Sequence, residues 1–264
     1  MPKRGRFSQG PVGLGRMTDR RVMRFVAPEK KFLDRVVTGS TTEWIVNCDG
    51  VAATNGKIGA ADTNPLLSNS GGIVQDATAS GRIGSKVAID SISCRLTLAV
   101  HGNAASALYA QPTVRLMLVV DKQPNGSLAA IADILKAPQA AAATPNPDYS
   151  TWSRNLSYST RFTVLYDKVI TINRDFGVGY DGMAAIFGYE SMVKKVNINK
   201  KFKKALLREY VTGSTAGDSS AVMKNQILLL ALPCHPVGYG ANAAAATDYQ
   251  VLISGGIRLR YTDA

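Results

Sequence analysis

The chain has 264 residues, of which 45% are hydrophobic and 19% charged, a composition typical of a folded globular protein with a sizeable core. Lysine and arginine number 31 against 19 acidic residues, and the resulting net charge of +12 favours a polyanionic partner. No apolar run approaches the roughly 18 residues of a membrane-spanning helix, so we expect no membrane partner. Two histidines and three cysteines argue against a histidine-rich metal site or a disulfide scaffold.

Basic residues are concentrated at the start of the chain. Residues 1–24 contain seven lysines and arginines against one acid, Asp19, which gives this segment half of the total net charge. Glycines and prolines interrupt it, so it cannot bury enough apolar surface to offset the entropy lost on ordering. We therefore predict a flexible basic arm, residues 1–35, followed by one folded domain, residues 36–264. No apolar segment follows residues 1–6, so we expect no secretory signal.

The rest of the chain reads mainly as β-strand. A stretch rich in Gly, Ser and Asn reaches residue 85 and holds one short strand candidate, residues 41–46. From residue 86 onward apolar and polar side chains alternate with a period of two, and later segments place β-branched and aromatic residues between turn signals. These patterns predict further strands at 86–100, 113–120, 161–172, 193–199, 225–232 and 249–261.

Turn and helix signals punctuate these strands. The Pro-Asn-Gly sequence at 124–126 predicts a turn, because Pro fixes φ while Asn and Gly tolerate positive φ. The Gly-Gly pair at 255–256 predicts a bulge or bend in the last strand. Residues 127–136 predict one helix, with Ser127 as its N-cap. Seven or eight strands with long loops and no βαβ alternation indicate an all-β fold, a sandwich or jelly roll.

Groups able to perform catalysis are few in this sequence. The candidates are His101, His235 and Cys234, but the last two are adjacent on an extended segment, so their side chains point apart. Sequence motifs for zinc binding, phosphate binding and serine hydrolysis are missing. We therefore expect no enzyme, no cofactor and no metal. The cysteines, Cys48, Cys94 and Cys234, are expected to be reduced, mostly buried thiols of an intracellular protein.

Two aspartates are read as strand ends, Asp121 beside Lys122 and Asp167 beside Lys168. Together these carboxylates are compatible with a shared cation site or an acid pair. Exposed local charge pairs are common and contribute little to stability. We therefore favour two solvated strand ends with local charge pairs.

A second basic segment, residues 194–208, holds seven lysines and arginines and no acid. Val196 and Ile198 are expected to face the core, with the alternating residues 195, 197 and 199 facing outward. The segment is either a solubilising face or edge strand guarded against pairing, or a patch that follows a nucleic-acid backbone. The sequence favours neither reading. Its candidate binding residues are Lys194, Lys195, Lys200, Lys201, Lys203, Lys204 and Arg208.

The arm carries the stronger nucleic-acid signal, because arginine predominates in it and guanidinium groups match phosphate geometry. Flexible segments rich in Arg and Gly neutralise phosphates without reading bases. A basic tail is also typical of a nuclear import signal. The predicted nucleic-acid-binding residues are Lys3, Arg4, Arg6, Arg16, Arg20, Arg21, Arg24, Lys30 and Lys31.

Several stretches, taken in their order along the chain, resemble one protein family. They are residues 114–126 (VRLMLVVDKQPNG), 161–168 (RFTVLYDK), 196–202 (VNINKKF), 225–232 (NQILLLAL) and 257–261 (IRLRY), together with the basic opening MPKR. In this pattern the chain resembles capsid proteins of small circular single-stranded DNA viruses, the geminivirus-like and related Rep-encoding group.

The resemblance implies a single jelly roll of about eight antiparallel strands that self-assembles into a small icosahedral shell. It also implies that the basic arm lines the interior, contacts a single-stranded DNA genome and is read by a host nuclear import receptor. The expected locations are the virion and, during assembly, the host nucleus. Two alternatives stay open: the coat protein of a small RNA virus or satellite, and a non-viral β-sandwich that binds nucleic acid without assembling.

Overall fold

The structure is a computed structural model that describes residues 29–37, 45–47, 57–58, 72–78, 80–101, 113–126, 129–138, 149–172, 193–218, 220–234 and 250–264. These residues are mostly antiparallel β-strand, with very little helix, so the predicted all-β class is confirmed. The strands are β1 Lys30–Val37, β2 Ile45–Asn47, β3 Lys57–Ile58, β4 Lys86–His101, β5 Thr113–Asp121, β6 Leu135–Lys136, β7 Ser153–Arg154, β8 Phe162–Thr171, β9 Val193–Tyr210, β10 Val222–Lys224, β11 Gln226–Cys234 and β12 Gln250–Asp263. One short helix, α1 Ile131–Ile134, and a 3₁₀ turn, Leu156–Tyr158, accompany them.

The strands form two main sheets. The larger sheet has the order β1-β12-β4-β9-β10, with β2 also pairing with β12, and the smaller one has the order β3-β11-β5-β8. Neighbouring strands in both sheets are antiparallel. Buried side chains of both sheets belong to one continuous hydrophobic cluster, so the sheets share a single core.

Eight of these strands pair in a nested pattern. In chain order they are β1, β3, β4, β5, β8, β9, β11 and β12. The first pairs with the last, the second with the seventh, the third with the sixth, and the two middle strands with each other. One long antiparallel hairpin has the same nested pairing. Here the successive strand pairs alternate between the larger and the smaller sheet.

Burial along the strands explains why these segments are extended. In β4 the residues Ile92, Cys94, Leu96 and Leu98 are buried while their neighbours point to the other face of the sheet. All nine residues of β11 are buried, as are eight of nine in β5. A strand covered on both faces needs a near-continuous apolar run, which residues 227–234 of β11 and 116–120 of β5 have.

Five of the predicted strands agree closely with the structure. The predictions at 86–100, 113–120, 161–172, 225–232 and 249–261 correspond to β4, β5, β8, β11 and β12, with ends within two residues. The strand predicted at 193–199 is correct at its start but too short, because β9 continues to Tyr210. The lysine-rich segment is therefore itself a strand.

The predicted helix at 127–136 is mostly wrong. Only Ile131–Ile134 is helical, and residues 127–128 lie outside the described part of the chain. Leu135 is fully buried and pairs with Arg154 in the small β6·β7 ladder. That tertiary pairing overrides the local helix propensity.

The predicted boundary between arm and domain is also wrong. Residues 30–37 form β1, which pairs with β12 from Lys30 to Val37. Leu33 and Val37 are buried in the common core. The folded domain therefore begins no later than Lys30, rather than at residue 36.

Candidate nucleic-acid interface

One face of the larger sheet is lined by polar and cationic side chains from four strands. Because Ile92, Cys94, Leu96 and Leu98 of β4 point into the core, the residues between them point to the opposite, outer face. The strand register sets three rows across this face: Phe32–Arg260–Ser91–Lys201, Asp34–Arg258–Ser93–Asn199 and Val36–Gly256–Arg95–Asn197. We call these three rows, with Lys30 and Lys195, the basic face.

Two adjoining grooves run over the basic face. The first, which we call the polar groove, has a volume of about 670 Å³ and is lined by Ser93, Arg95 and Asn199 among others. The second, which we call the aromatic groove, has a volume of about 820 Å³ and is lined by Phe32 and Phe202 among others. Both grooves share Ser91, Lys201, Arg258 and Arg260, so they form one continuous surface.

Positive charge dominates the polar groove. Its described lining has one carboxylate, Asp34, against six cationic side chains: Arg35, Arg95, Lys200, Lys201, Arg258 and Arg260. Asp34 accepts two hydrogen bonds of 2.6 Å from the Arg258 guanidinium. These hydrogen bonds hold the pKa of the Asp34 carboxyl below its ordinary value. Of the other five, Arg95, Lys201 and Arg260 occupy outward strand positions, whereas Arg35 and Lys200 alternate with outward residues.

The second basic segment, residues 194–208, contributes some of its predicted residues to this surface. Val196 and Ile198 are buried while Lys195, Asn197 and Asn199 are exposed, so the expected alternation is confirmed. Residues 202–205 have no partner in β4, because the register passes from Ser91↔Lys201 to Ile89↔Leu206. Lys194, Lys201, Lys203 and Lys204 are exposed, and Lys200 is half-buried.

Arg208 does not belong to the predicted patch. Its side chain is only 1% exposed, and its Nε donates a hydrogen bond to the carbonyl oxygen of Asn225, 3.2 Å away. In the ladder it lies beside Val87, which is itself fully buried. Arg208 therefore faces the core and is not available to a polyanion.

Lys31 is likewise wrongly assigned to the arm. It is buried, its ammonium group forms a 2.9 Å ion pair with Asp263, and it donates a 2.9 Å hydrogen bond to the carbonyl oxygen of Gly81. By contrast, Lys30 is exposed and lines the aromatic groove. The seven other predicted arm residues, Lys3, Arg4, Arg6, Arg16, Arg20, Arg21 and Arg24, lie outside the described residues.

The position of β1 relates the arm to the basic face. The chain enters β1 at Lys30, which pairs with Thr262 of β12. Both residues line the aromatic groove. Whatever path residues 1–28 take, they are therefore tethered at this corner of the basic face.

Three arginines of the basic face were missed from the sequence: Arg95, Arg258 and Arg260. Each occupies the outward position in a strand whose neighbours, such as Leu259, are buried. Alternation alone was sufficient to predict that they face outward. Their convergence with Lys201 depends on the register of three strands that are far apart in the sequence.

The two strand aspartates are structural, and the prediction that they are solvated is wrong. Asp121 is fully buried and accepts hydrogen bonds of 2.9 and 2.7 Å from Arg161. Asp167 accepts hydrogen bonds of 2.7 and 2.8 Å from Arg115, and these bonds raise the pKa of that guanidinium. Each carboxylate thus forms its ion pair with an arginine, rather than with the adjacent Lys122 or Lys168.

Other chemistry finds little support in the described residues. They contain no group of three or more His, Cys, Asp or Glu side chains able to hold a metal ion. Cys94 and Cys234 are buried, and burial raises the pKa of the Cys94 thiol to about 12. Cys48 and His235 lie outside the described part, and His101 is the last residue of β4.

No helix within the described ranges is long and apolar enough to cross a membrane. Comparison with known proteins adds no relative: no protein-family model matches the chain, and no curated protein matches it.

Proposed function

We propose that this chain is a viral coat protein that self-assembles into a small icosahedral shell and packages single-stranded DNA. Its folded domain would form the wall of the shell. Its basic arm and the basic face of the larger sheet would contact the nucleic acid inside. The proposal joins the family resemblance of the sequence to the topology and charge distribution of the domain.

The observation that carries the proposal is the nested pairing of the eight strands. Two sheets built by wrapping one long antiparallel hairpin are the arrangement of the jelly roll. Jelly rolls are common in viral capsids, but they also occur in lectins and cupins. Topology therefore supports a coat protein without excluding other jelly-roll functions, and the surface must decide between them.

Charge supports a nucleic-acid cargo rather than a sugar or metal ligand. No salt bridge among the described residues engages Arg95, Arg260 or Lys201 of the basic face, and residues 1–24 add a further +6. Flat cationic surfaces of this kind bind phosphate backbones without reading sequence. Packaging a whole genome requires a binding surface that accepts any nucleotide sequence.

The same proposal includes the remaining partners and locations. Copies of this chain are the main protein partner, since a closed shell needs many of them. The virion is the final location. The host nucleus is the site of assembly, with the arm as the segment that an import receptor recognises.

Imaging combined with nuclease treatment tests the proposal. The full chain is expressed, purified at moderate salt and examined by negative-stain microscopy, and the nucleic acid that survives external nuclease is digested after disruption of the particles. Uniform closed particles containing DNase-sensitive nucleic acid are expected. Protected nucleic acid that only RNase digests would favour an RNA virus, and monomers at every salt concentration would favour the non-viral alternative.

A further inference from the structure

We infer that the aromatic groove binds nucleotides of single-stranded nucleic acid, with Phe32 stacking on an unpaired base and Lys201 and Arg260 contacting phosphates. This inference rests on the proposed function and deepens it, because it gives the packaging surface a preference for single strands.

The groove has the dimensions of a ligand site. Its volume of about 820 Å³ lies within the range of roughly 300–1,000 Å³ that is typical of small-molecule sites. Phe32 on β1 and Lys201 on β9 are the ends of one register row, three strand spacings apart. At about 4.8 Å per spacing, the row is about 14 Å wide. Arg260 and Ser91 form its floor.

One exposed phenylalanine lies at an end of this row. Phe32 is 53% exposed and shares the outer face with Arg260 and Lys201. The guanidinium of Arg258 lies 5.3 Å from its ring centroid, which restrains the ring from one side. Phe202 follows Lys201 in β9 and packs partly against the core, so alternation directs its ring away from the face that carries Lys201. The exposed ring of Phe32 is therefore the one suited to stacking.

Cations of the groove remain in excess after its internal ion pairs are taken into account. Lys31 is paired with Asp263, and Arg258 is paired with Asp34. No salt bridge among the described residues engages Lys30, Lys201 or Arg260. Asp90 is the one carboxylate in the described lining of the aromatic groove. The groove is therefore positive, as a phosphate-binding surface must be.

Aromatic rings next to cations select single strands. Every base has a flat face that can stack on a side-chain ring, so this recognition tolerates any sequence. In a duplex those faces are already stacked on neighbouring bases, and a ring reaches them only if the helix is disrupted. Cations alone give no such preference, because phosphates are present in both forms.

The test compares binding of two single-stranded oligonucleotides of equal length to the full-length chain. One is oligo(dT) and the other is an abasic strand, which has the same phosphates but no bases. The variant is Phe32→Leu, which keeps an apolar side chain, and Met223→Ala serves as a control because Met223 is an exposed apolar residue on β10. Dissociation constants are measured at fixed salt, and thermal unfolding checks that each variant is folded.

We expect Phe32→Leu to bind oligo(dT) at least about fivefold more weakly, because a base–ring stack is lost. Affinity for the abasic strand should stay within twofold, and the control should match the wild type on both strands. Equal losses on both strands, or no loss on either, would overturn the inference. If particles form and package DNA while oligo(dT) affinity is unchanged, only this inference fails. If stacking is observed but no particles ever form, the proposed coat-protein function fails instead.

Discussion

A Cβ atom on residue 255 would collide with the carbonyl oxygen of Arg95, so the backbones of Gly255 in β12 and Arg95 in β4 approach too closely for any side chain at 255. Gly255 also has a φ of +140°, which side chains rarely adopt. The ladder between the two strands continues in register through both glycines, and its irregularity lies between Arg260 and Tyr261 instead. Of the bulge or bend predicted at 255–256, the bulge is therefore wrong, and close approach is the reason for a glycine at 255.

Replacing Gly255 with alanine should destabilise the domain. The unfavourable φ alone contributes about 1–3 kcal/mol, and relief of the clash with Arg95 adds to it. Gly256→Ala is the matched control, because its Cβ would meet nothing closer than 3.8 Å. Urea unfolding should give a clearly lower midpoint for the first variant than for the second. Equal urea midpoints for the two variants would mean that β4 and β12 accommodate a side chain at 255 without loss of stability, which contradicts the prediction.

Neutralising the basic face should reduce the salt dependence of nucleic-acid binding. Each phosphate contact with a single strand contributes about 0.7 to the slope of log K against log salt concentration. Arg95→Gln, Arg260→Gln and Lys201→Gln should each reduce the magnitude of the slope by about that amount. Lys168→Gln removes the same charge from an exposed position on β8 in the other sheet and should leave the slope unchanged. Identical slopes in all four variants would exclude the basic face as the binding surface.

Deleting residues 1–24 should reduce packaging far more than folding. Glycines, prolines and basic residues dominate that segment, so it can bury little apolar surface, whereas it carries half of the net charge. The thermal midpoint of the dissociated subunit should shift by less than about 2 °C, which is the low end of what a loss of about 1 kcal/mol produces in a domain of this size. The nucleic-acid content of particles, measured from the ratio of absorbance at 260 and 280 nm, should fall sharply. A large drop in the thermal midpoint would contradict the prediction.

Stability should fall in alkaline solution because of Cys94. Burial raises the pKa of its thiol from 9.0 to about 12, so the native state binds its proton more tightly than the unfolded state does. This thiol has no effect on stability below pH 9, and destabilisation grows as the pH rises from 9 towards 12. At pH 10 the loss is on the order of 1 kcal/mol. Urea unfolding under reducing conditions should show a smaller loss between pH 8 and pH 10 for Cys94→Val.

Buried tyrosines also lower the stability in alkaline solution, so the wild type must be compared with Cys94→Val to isolate the effect of the thiol. Burial also raises the pKa values of Tyr149, Tyr166 and Tyr261, and these groups ionise in the unfolded chain near pH 10. They act in the same direction as Cys94 but at slightly higher pH. An identical pH dependence in the wild type and in Cys94→Val would assign the whole effect to tyrosine.

Strands were predictable where one face or both faces are buried in a regular pattern. The alternation around Ile92 to Leu98 in β4 and the unbroken apolar run from Ile227 to Leu232 in β11 are local signals, and both strands were found. β1 was missed because its inward side includes Lys31 and Arg35, which break the apolar alternation. Only the partner Asp263, at the other end of the chain, makes a buried lysine acceptable there.

The candidate site was predictable only in part for a similar reason. The lysines of β9 were evident as a cluster in the sequence, but Arg208 looked equivalent to them until its neighbour Val87 placed it in the core. Arg95 and Arg260 joined the cluster through strand register, which no local pattern encodes. Local composition thus identified the charge, and long-range pairing determined its location.

The central position of β12 affects the order of events during synthesis. This strand lies between β1 and β4, yet it is made last. At a ribosomal rate of about 5–20 residues per second, β1 waits on the order of ten to forty seconds for its only neighbour within the described sheet. Until then β1 cannot join the larger sheet. Nascent chains are therefore unable to present a finished basic face, so nucleic acid that associates with a polysome meets subunits in which that surface is still incomplete.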